Sequence, residues 1–137
     1  MFIAHQTNCI STFALGLAKN IFDIFPWSNI YHSHTIRIPG KIIVCGNGKD
    51  QRFIVNMMGQ KYPGKSDSKE QKLIWFRQCL NEISLFTRTF KNVSIAFPYK
   101  IGCGMAGGQW SDYLSILELF ANTHPNICVV IYNESVK

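Results

Sequence analysis

A glycine-rich stretch set between an apolar run and a helical pattern constrains this chain most. Residues 97–113 read Phe-Pro-Tyr-Lys-Ile-Gly-Cys-Gly-Met-Ala-Gly-Gly-Gln-Trp-Ser-Asp-Tyr and hold four of the ten glycines, Gly102, Gly104, Gly107 and Gly108. Val93 to Phe97 leads in as a strand, and Trp110 to Phe120 leads out with helical spacing. A plain strand-to-helix turn takes roughly two to six residues and needs few glycines. Four of them let the backbone turn tightly and bring its N–H groups up to an anion. The helix that follows adds free N–H groups and the positive end of its dipole. Strand, glycine loop and helix start, in that order, point to a phosphate.

The same stretch spells a dinucleotide fingerprint, Gly102-Cys-Gly104-Met-Ala-Gly107. In a Rossmann fold such a loop opens the domain and several strands follow. Here one helix and one strand fit before Lys137, and although Glu134 could imitate the ribose-binding acid, no second half remains. The expectation is therefore phosphate binding without a dinucleotide dehydrogenase.

Residues 1–137 are expected to form one domain, because that length buries a real core. With 47% hydrophobic and 16% charged residues, the chain reads as globular. No stretch approaches the roughly 20 apolar residues of a membrane span, and Met1 to Cys9 reads as a buried strand, not a signal peptide. Five scattered cysteines, Cys9, Cys45, Cys79, Cys103 and Cys128, suit a reducing compartment. The expected location is intracellular, cytoplasmic or nuclear, with no membrane partner and a monomeric state. A net charge of +6 suits an anionic ligand. The lysines are dispersed through Lys41, Lys49, Lys61, Lys65, Lys69, Lys72, Lys91 and Lys100 instead of forming a basic stripe. Nucleic acid thus stays an open partner but not the favoured one.

Hydrophobic periodicity gives alternating elements. Phe2 to Gln6 is a strand. Phe13 to Phe25 is expected to be helical, with Thr12 as N-cap and Pro26 closing it. Residues 27–40 read as loop or weak strand. Lys41 to Cys45 and Phe53 to Met57 read as strands that can pair as a hairpin around Gly46-Asn47-Gly48. Lys69 to Thr87 is a long helix with Leu73, Phe76, Leu80 and Ile83 on its core side. Val93 to Phe97, Gln109 to Asn122 and Ile127 to Tyr132 complete a strand, a helix and a final strand. Such alternation implies an α/β protein with a mixed sheet covered on both faces.

Four segments in this order resemble a macro domain. They are Ile3-Ala-His-Gln-Thr-Asn-Cys9, the helix containing Gly16-Leu-Ala-Lys19, Asn56-Met-Met-Gly-Gln-Lys-Tyr-Pro-Gly-Lys65, and Pro98 through Trp110. The resemblance covers most of the chain and is nearest to the branch holding terminal ADP-ribose glycohydrolases and ADP-ribose phosphatases. It implies a three-layer α/β/α sandwich with a mixed β-sheet whose crest binds ADP-ribose or an ADP-ribosylated macromolecule, without a cofactor. It places Thr7, Asn8 and Cys9 near the distal ribose, with the Asn8 side chain as hydrogen-bond partner. Gly16 falls on one wall of the diphosphate site. Ile101, Gly102, Cys103, Gly104, Met105, Ala106, Gly107 and Gly108 form the other. Tyr132 or Asn133 would flank the adenine, although Tyr132 reads equally as a core-edge tyrosine.

Departures from the family pattern bear on catalysis. No residue matches the family's Gly-Asp acid that binds the adenine amino group. The first loop, Ile10-Ser-Thr-Phe-Ala-Leu-Gly16, has a single glycine where the family has several. Ala106 stands where terminal-ADP-ribose glycohydrolases carry an aspartate, and their lysine nucleophile falls near Gly59 or Gln60, next to Lys61. Gln109 precedes Trp110 where relatives often carry an acid, and an amide cannot act as a general base. Three function classes stay open: an ADP-ribose reader, a hydrolase releasing phosphate or ADP-ribose, and a basic module for RNA or poly(ADP-ribose). The reader ranks first, with slow hydrolysis left open. For chemistry, Asn8 could orient the distal ribose and His5 could serve as acid or base, or lie buried in its strand. His32 and His34 form a His-x-His pair without a third ligand, so no metal is expected. Cys103 could be activated by the loop N–H groups or simply pack inward. Asp112 fits helix-dipole stabilisation.

Overall fold

A computed structural model describes residues 1–33 and 35–133; His34 and Glu134, with the His-x-His pair and the ribose-binding acid read from them, lie outside the described residues. Chain order is β1 (Phe2–Thr7), α1 (Gly16–Ile24), two 3-10 turns (Pro26–Ser28 and Ile30–His32), β2 (Ile42–Gly46), β3 (Phe53–Met58), α2 (Lys69–Thr87), β4 (Val93–Pro98), α3 (Trp110–Thr123) and β5 (Ile127–Tyr132). The strands form one five-stranded sheet in the order β2-β3-β1-β4-β5. β2 and β3 are antiparallel, and every other neighbouring pair is parallel. The hairpin turns where Asn47 Oδ1 accepts the N–H groups of Lys49 and Asp50 at 2.9 and 3.0 Å. Ser68 Oγ accepts from the Gln71 N–H at 3.1 Å and so starts α2.

Strand alternation sends side chains to two cores. Phe2, Ala4, Val55, Met57, Ile95 and Phe97 pack with Phe76, Cys79, Leu80, Ile83, Tyr113 and Leu117 of α2 and α3. Ile3, Ile54 and Met58 face the other way, onto Ile21, Phe22, Ile30 and Tyr31. The result is the expected three-layer mixed sandwich. It also sets a switch point: β1 leads to α1 on one face, and its neighbour β4 leads to α3 on the other. A crevice opens at the carboxyl ends of two such strands, which is where open α/β sheets bind ligands.

One element boundary departs from the periodicity. The helix expected from Phe13 begins at Gly16, with Leu15 in the N-cap position and no side-chain cap. Phe13 and Leu15 are exposed, so the apolar spacing there builds an irregular wall instead of a buried helical face. Where residues 27–40 were expected to be loop or weak strand, the 3-10 turn Pro26–Ser28 buries Ser28 and the turn Ile30–His32 buries Ile30 and Tyr31.

Candidate functional site

The crevice is a cavity of about 970 Å³. Its floor comes from the end of β1 (Gln6, Thr7, Asn8), one wall from residues 10–18, and the other from Pro98 to Ala106. The walls approach each other closely, since a Cβ on Gly16 would stand 3.6 Å from Met105 Cε.

The glycine loop folds on its own backbone. The N–H groups of Ile101, Cys103, Gly107 and Gly108 donate to Pro98, Lys100, Gly104 and Gly102 at 3.1, 3.0, 3.0 and 2.9 Å. Among the described residues, no acceptor meets the N–H of Gly102, Gly104, Met105 or Ala106. All four residues line the cavity. Close approach explains the glycines at 102 and 108. A Cβ on Gly102, whose φ is +77°, would lie 2.5 Å from the Tyr113 ring, and one on Gly108 would lie 2.6 Å from the Gly102 carbonyl oxygen.

The first loop is held by side chains distant in sequence. Asn8 Oδ1 accepts from the N–H groups of Ile10 and Ser11 at 3.0 and 2.8 Å. The Asn8 N–H donates to Tyr31 Oη at 3.0 Å, and the Asn8 carbonyl accepts from Arg37 at 3.1 Å. The Arg37 guanidinium lies 4.9 Å above the Tyr31 ring. Burial, the largest effect on the Tyr31 phenol, raises its pKa. At the floor, Gln60 Oε1 accepts from Gln6 Nε2 at 2.9 Å, while Gln60 Nε2 donates to the Tyr62 and Gly64 carbonyls.

The titratable side chains on the described lining are Tyr31, Tyr99, Lys100 and Cys103; Asp, Glu and His are absent from it. Burial raises the Cys103 thiol pKa, partly opposed by the Lys100 charge, and its Sγ donates to the Ile101 carbonyl. Such a site suits holding an anion more than moving protons.

No protein-family model matches the chain, and no curated protein matches it in sequence. Solved structures do match in three dimensions. The macrodomain of Mycobacterium tuberculosis DarG superposes with a TM-score of 0.79 at 22% identity, covering 96% of this chain and 87% of that one. The macrodomain of Thermus aquaticus DarG gives 0.73 at 18% identity, with the same coverages. The fold is that of a macrodomain. A third neighbour, the Oceanobacillus iheyensis macrodomain with ADP, gives 0.64 at 16% identity and covers 98% of this chain and 77% of that one. A mutant of that macrodomain has also been solved with ADPR.

In this macrodomain fold the expected site residues separate into two groups. Thr7, Asn8, Gly16 and Ile101 through Ala106 line one cavity. Cys9 stands behind it, its N–H on the Lys61 carbonyl and its Sγ on the Gln60 carbonyl. Gly107 and Gly108 close the loop from outside the lining. Tyr132 and Asn133 lie at the end of β5, where Tyr132 Oη donates to the Ala4 carbonyl at 3.3 Å and its own carbonyl accepts from the Tyr99 N–H at 2.7 Å.

His5 is placed away from the cavity. It is completely buried on β1, 5.2 Å from the Phe22 ring, with Nε2 2.7 Å from Asn56 Oδ1. Asn56 Nδ2 donates to the Ser28 and Ile43 carbonyls, so Oδ1 is the acceptor and Nε2 carries the proton. His5 Nδ1 has no partner among the described residues. Burial lowers its pKa from 6.5 to about 4, outweighing the Asn56 bond. Sequence reasoning missed Tyr31, Gln60 and Arg37. The local pattern around Tyr31 and Arg37 reads only as loop, and Gln60 is visible only as a position inside a motif.

Proposed function

We propose that this chain is a reader of ADP-ribose, free or attached to a macromolecule. The carrying observation is that Gly102, Gly104, Met105 and Ala106, whose N–H groups are unengaged among the described residues, line one cavity together with Asn8 and Gly16. Preorganised donors without a nearby carboxylate suit a diphosphate. The distal ribose would sit toward Asn8 and Tyr31. Because Asn8 Oδ1 is engaged by its own turn, the Asn8 amide nitrogen is the group left to meet a ribose hydroxyl. The adenine would lie toward Tyr99 and the end of β5, with Tyr132 and Asn133 flanking it. Neighbouring macrodomains solved with ADP and ADPR support the ligand class.

Hydrolysis of a phosphate or an ADP-ribosyl bond is the second reading. It is supported by the resemblance to the glycohydrolase and phosphatase branch but lacks a protein base. Ala106 and the exposed Gln109 occupy the positions of the usual acids, and His5 is buried away from the cavity. Backbone donors and positioning can still accelerate a reaction without a base, so turnover is expected to be slow. Calorimetry with ADP-ribose tests the main reading. A micromolar dissociation constant, about 8 kcal/mol of binding, is expected; absence of both heat and thermal shift at saturating ligand would sink it.

A further inference from the structure

Behind the glycine loop stands a cation that the binding reading leaves unused. Lys72, one turn into α2, is 2% exposed, and its Nζ donates to the Ala106 carbonyl at 2.6 Å. An ammonium in that place is costly. It lies near the positive end of a helix, and Lys65 and Lys69 add to the repulsion. Burial, the largest effect, pushes its pKa down, opposed by Asp67. Yet Asp67 Oδ2 already accepts the N–H groups of Lys61 and Tyr62. The salt bridges among the described residues are Lys19–Asp23 and Lys41–Glu82, so Lys72 has none. A buried charge without an ionic partner is retained only where something offsets it.

The bond it makes falls on a decisive peptide. Ala106 supplies the carbonyl of the peptide unit whose N–H, on Gly107, donates to Gly104 at 3.0 Å. Lys72 and Gly104 therefore clamp both ends of one peptide plane and hold the 104–107 turn, which carries three of the four unengaged N–H groups. The Lys65 stem braces the same turn, since a Cβ on Gly107 would stand 2.7 Å from Lys65 Cε. The described cavity lining has no carboxylate to cancel the charge behind it.

We propose that Lys72 is a positioning residue of the anion site: its ammonium fixes the Ala106 carbonyl so that the Gly104–Ala106 N–H groups are held for a ligand in the cavity, and a bound diphosphate supplies counter-charge beyond that of Asp67. The inference rests on the cavity being an anion site. A purely packing role would be met by a methionine of similar length. A hydrogen bond from a charged donor predicts a larger loss, about tenfold to a hundredfold in affinity.

The test compares the full chain with Lys72→Met and Lys72→Arg, using calorimetry with ADP-ribose, inorganic pyrophosphate and adenosine. Hydrogen exchange of the Gly107 amide is followed in parallel. Lys72→Met is expected to weaken both phosphorylated ligands by that factor, leave adenosine unchanged and speed Gly107 exchange, while Lys72→Arg recovers part of the loss. Equal loss for adenosine, or undiminished pyrophosphate affinity with native exchange at Gly107, overturns the role. Should Lys72→Met fail to fold, the wild-type Lys72 Nζ resonance decides. A shift on adding pyrophosphate supports the proposal, and no shift at saturation overturns it. If wild type binds pyrophosphate but not ADP-ribose, the reader assignment fails while the Lys72 comparison stands. If neither ligand binds, both fall.

Discussion

Gly104→Glu separates the proposed anion site from the fold. Gly104 is exposed, its φ is not positive, and a Cβ built there meets nothing within 4 Å. The substitution therefore costs the native state little; surface changes of this kind stay within about 0.5 kcal/mol. Binding should suffer far more. The new carboxylate would share the cavity mouth with a diphosphate carrying two charges. At about 5 Å, with an effective dielectric of about 40 for a half-open site, each charge pair costs roughly 1.7 kcal/mol, so two cost about 3 kcal/mol. That is a weakening of about 150-fold, from micromolar to beyond 0.1 mM in order of magnitude. Gly104→Gln has nearly the same size without the charge and isolates the electrostatic part. Calorimetry at about 0.1 M and about 1 M salt should show the gap between the two variants narrowing as the Debye length falls from roughly 10 to 3 Å. Melting temperatures should stay at the wild-type value. Retained ADP-ribose affinity in folded Gly104→Glu would show that the phosphates lie elsewhere. If Gly104→Gln weakens binding as much as the acid does, steric blockage and not charge is the cause.

Three other outcomes follow from the same geometry. The folded pKa of His5, about 4, lies below the unfolded 6.5. The unfolded chain thus takes up the proton first, and stability should fall by about 3 kcal/mol between pH 6.5 and 4 with no contribution above that window; urea midpoints that do not depend more on pH in wild type than in His5→Leu would contradict this. Gly108→Ala forces a Cβ against the Gly102 carbonyl oxygen and the Tyr113 ring and should cost about 1–3 kcal/mol of stability, read by thermal denaturation, together with much of the ADP-ribose affinity. Borohydride trapping during any turnover should yield no adduct at Lys61, whose exposed ammonium rests 5.4 Å over the Tyr62 ring, whereas Asn8→Ala should slow that turnover; a trapped Lys61 adduct in a mass spectrum would replace the reader assignment with a covalent hydrolase.

What was legible in the chain itself was local. Short apolar runs made the strands readable, the core spacing of Leu73, Phe76, Leu80 and Ile83 set α2, and the four clustered glycines marked a tight loop between β4 and α3 before any contact was known. These signals live within a few residues, because side-chain period and backbone freedom are properties of short segments. The same logic misplaced the start of α1. Phe13 and Leu15 carry helical spacing, but whether an apolar stripe is buried depends on what lies opposite, and opposite them is an open cavity.

The tertiary structure decided which side chains meet. Pairing β1 with β3 in register sets His5 beside Asn56, removes it from the cavity and leaves it neutral. The 3-10 turn at Ile30–His32 carries Tyr31 to the Asn8 N–H across 23 positions, and α2 carries Lys72 to Ala106 across 34. No local pattern encodes such meetings, since they follow from strand order and from which sheet face each helix covers. The glycines make a tight loop at the cavity wall, the one proposed to receive an anion. The buried lysine behind it and the tyrosine and arginine holding the opposite loop came into place only when the sheet brought the ends of β1 and β4 side by side and sent their helices to opposite faces.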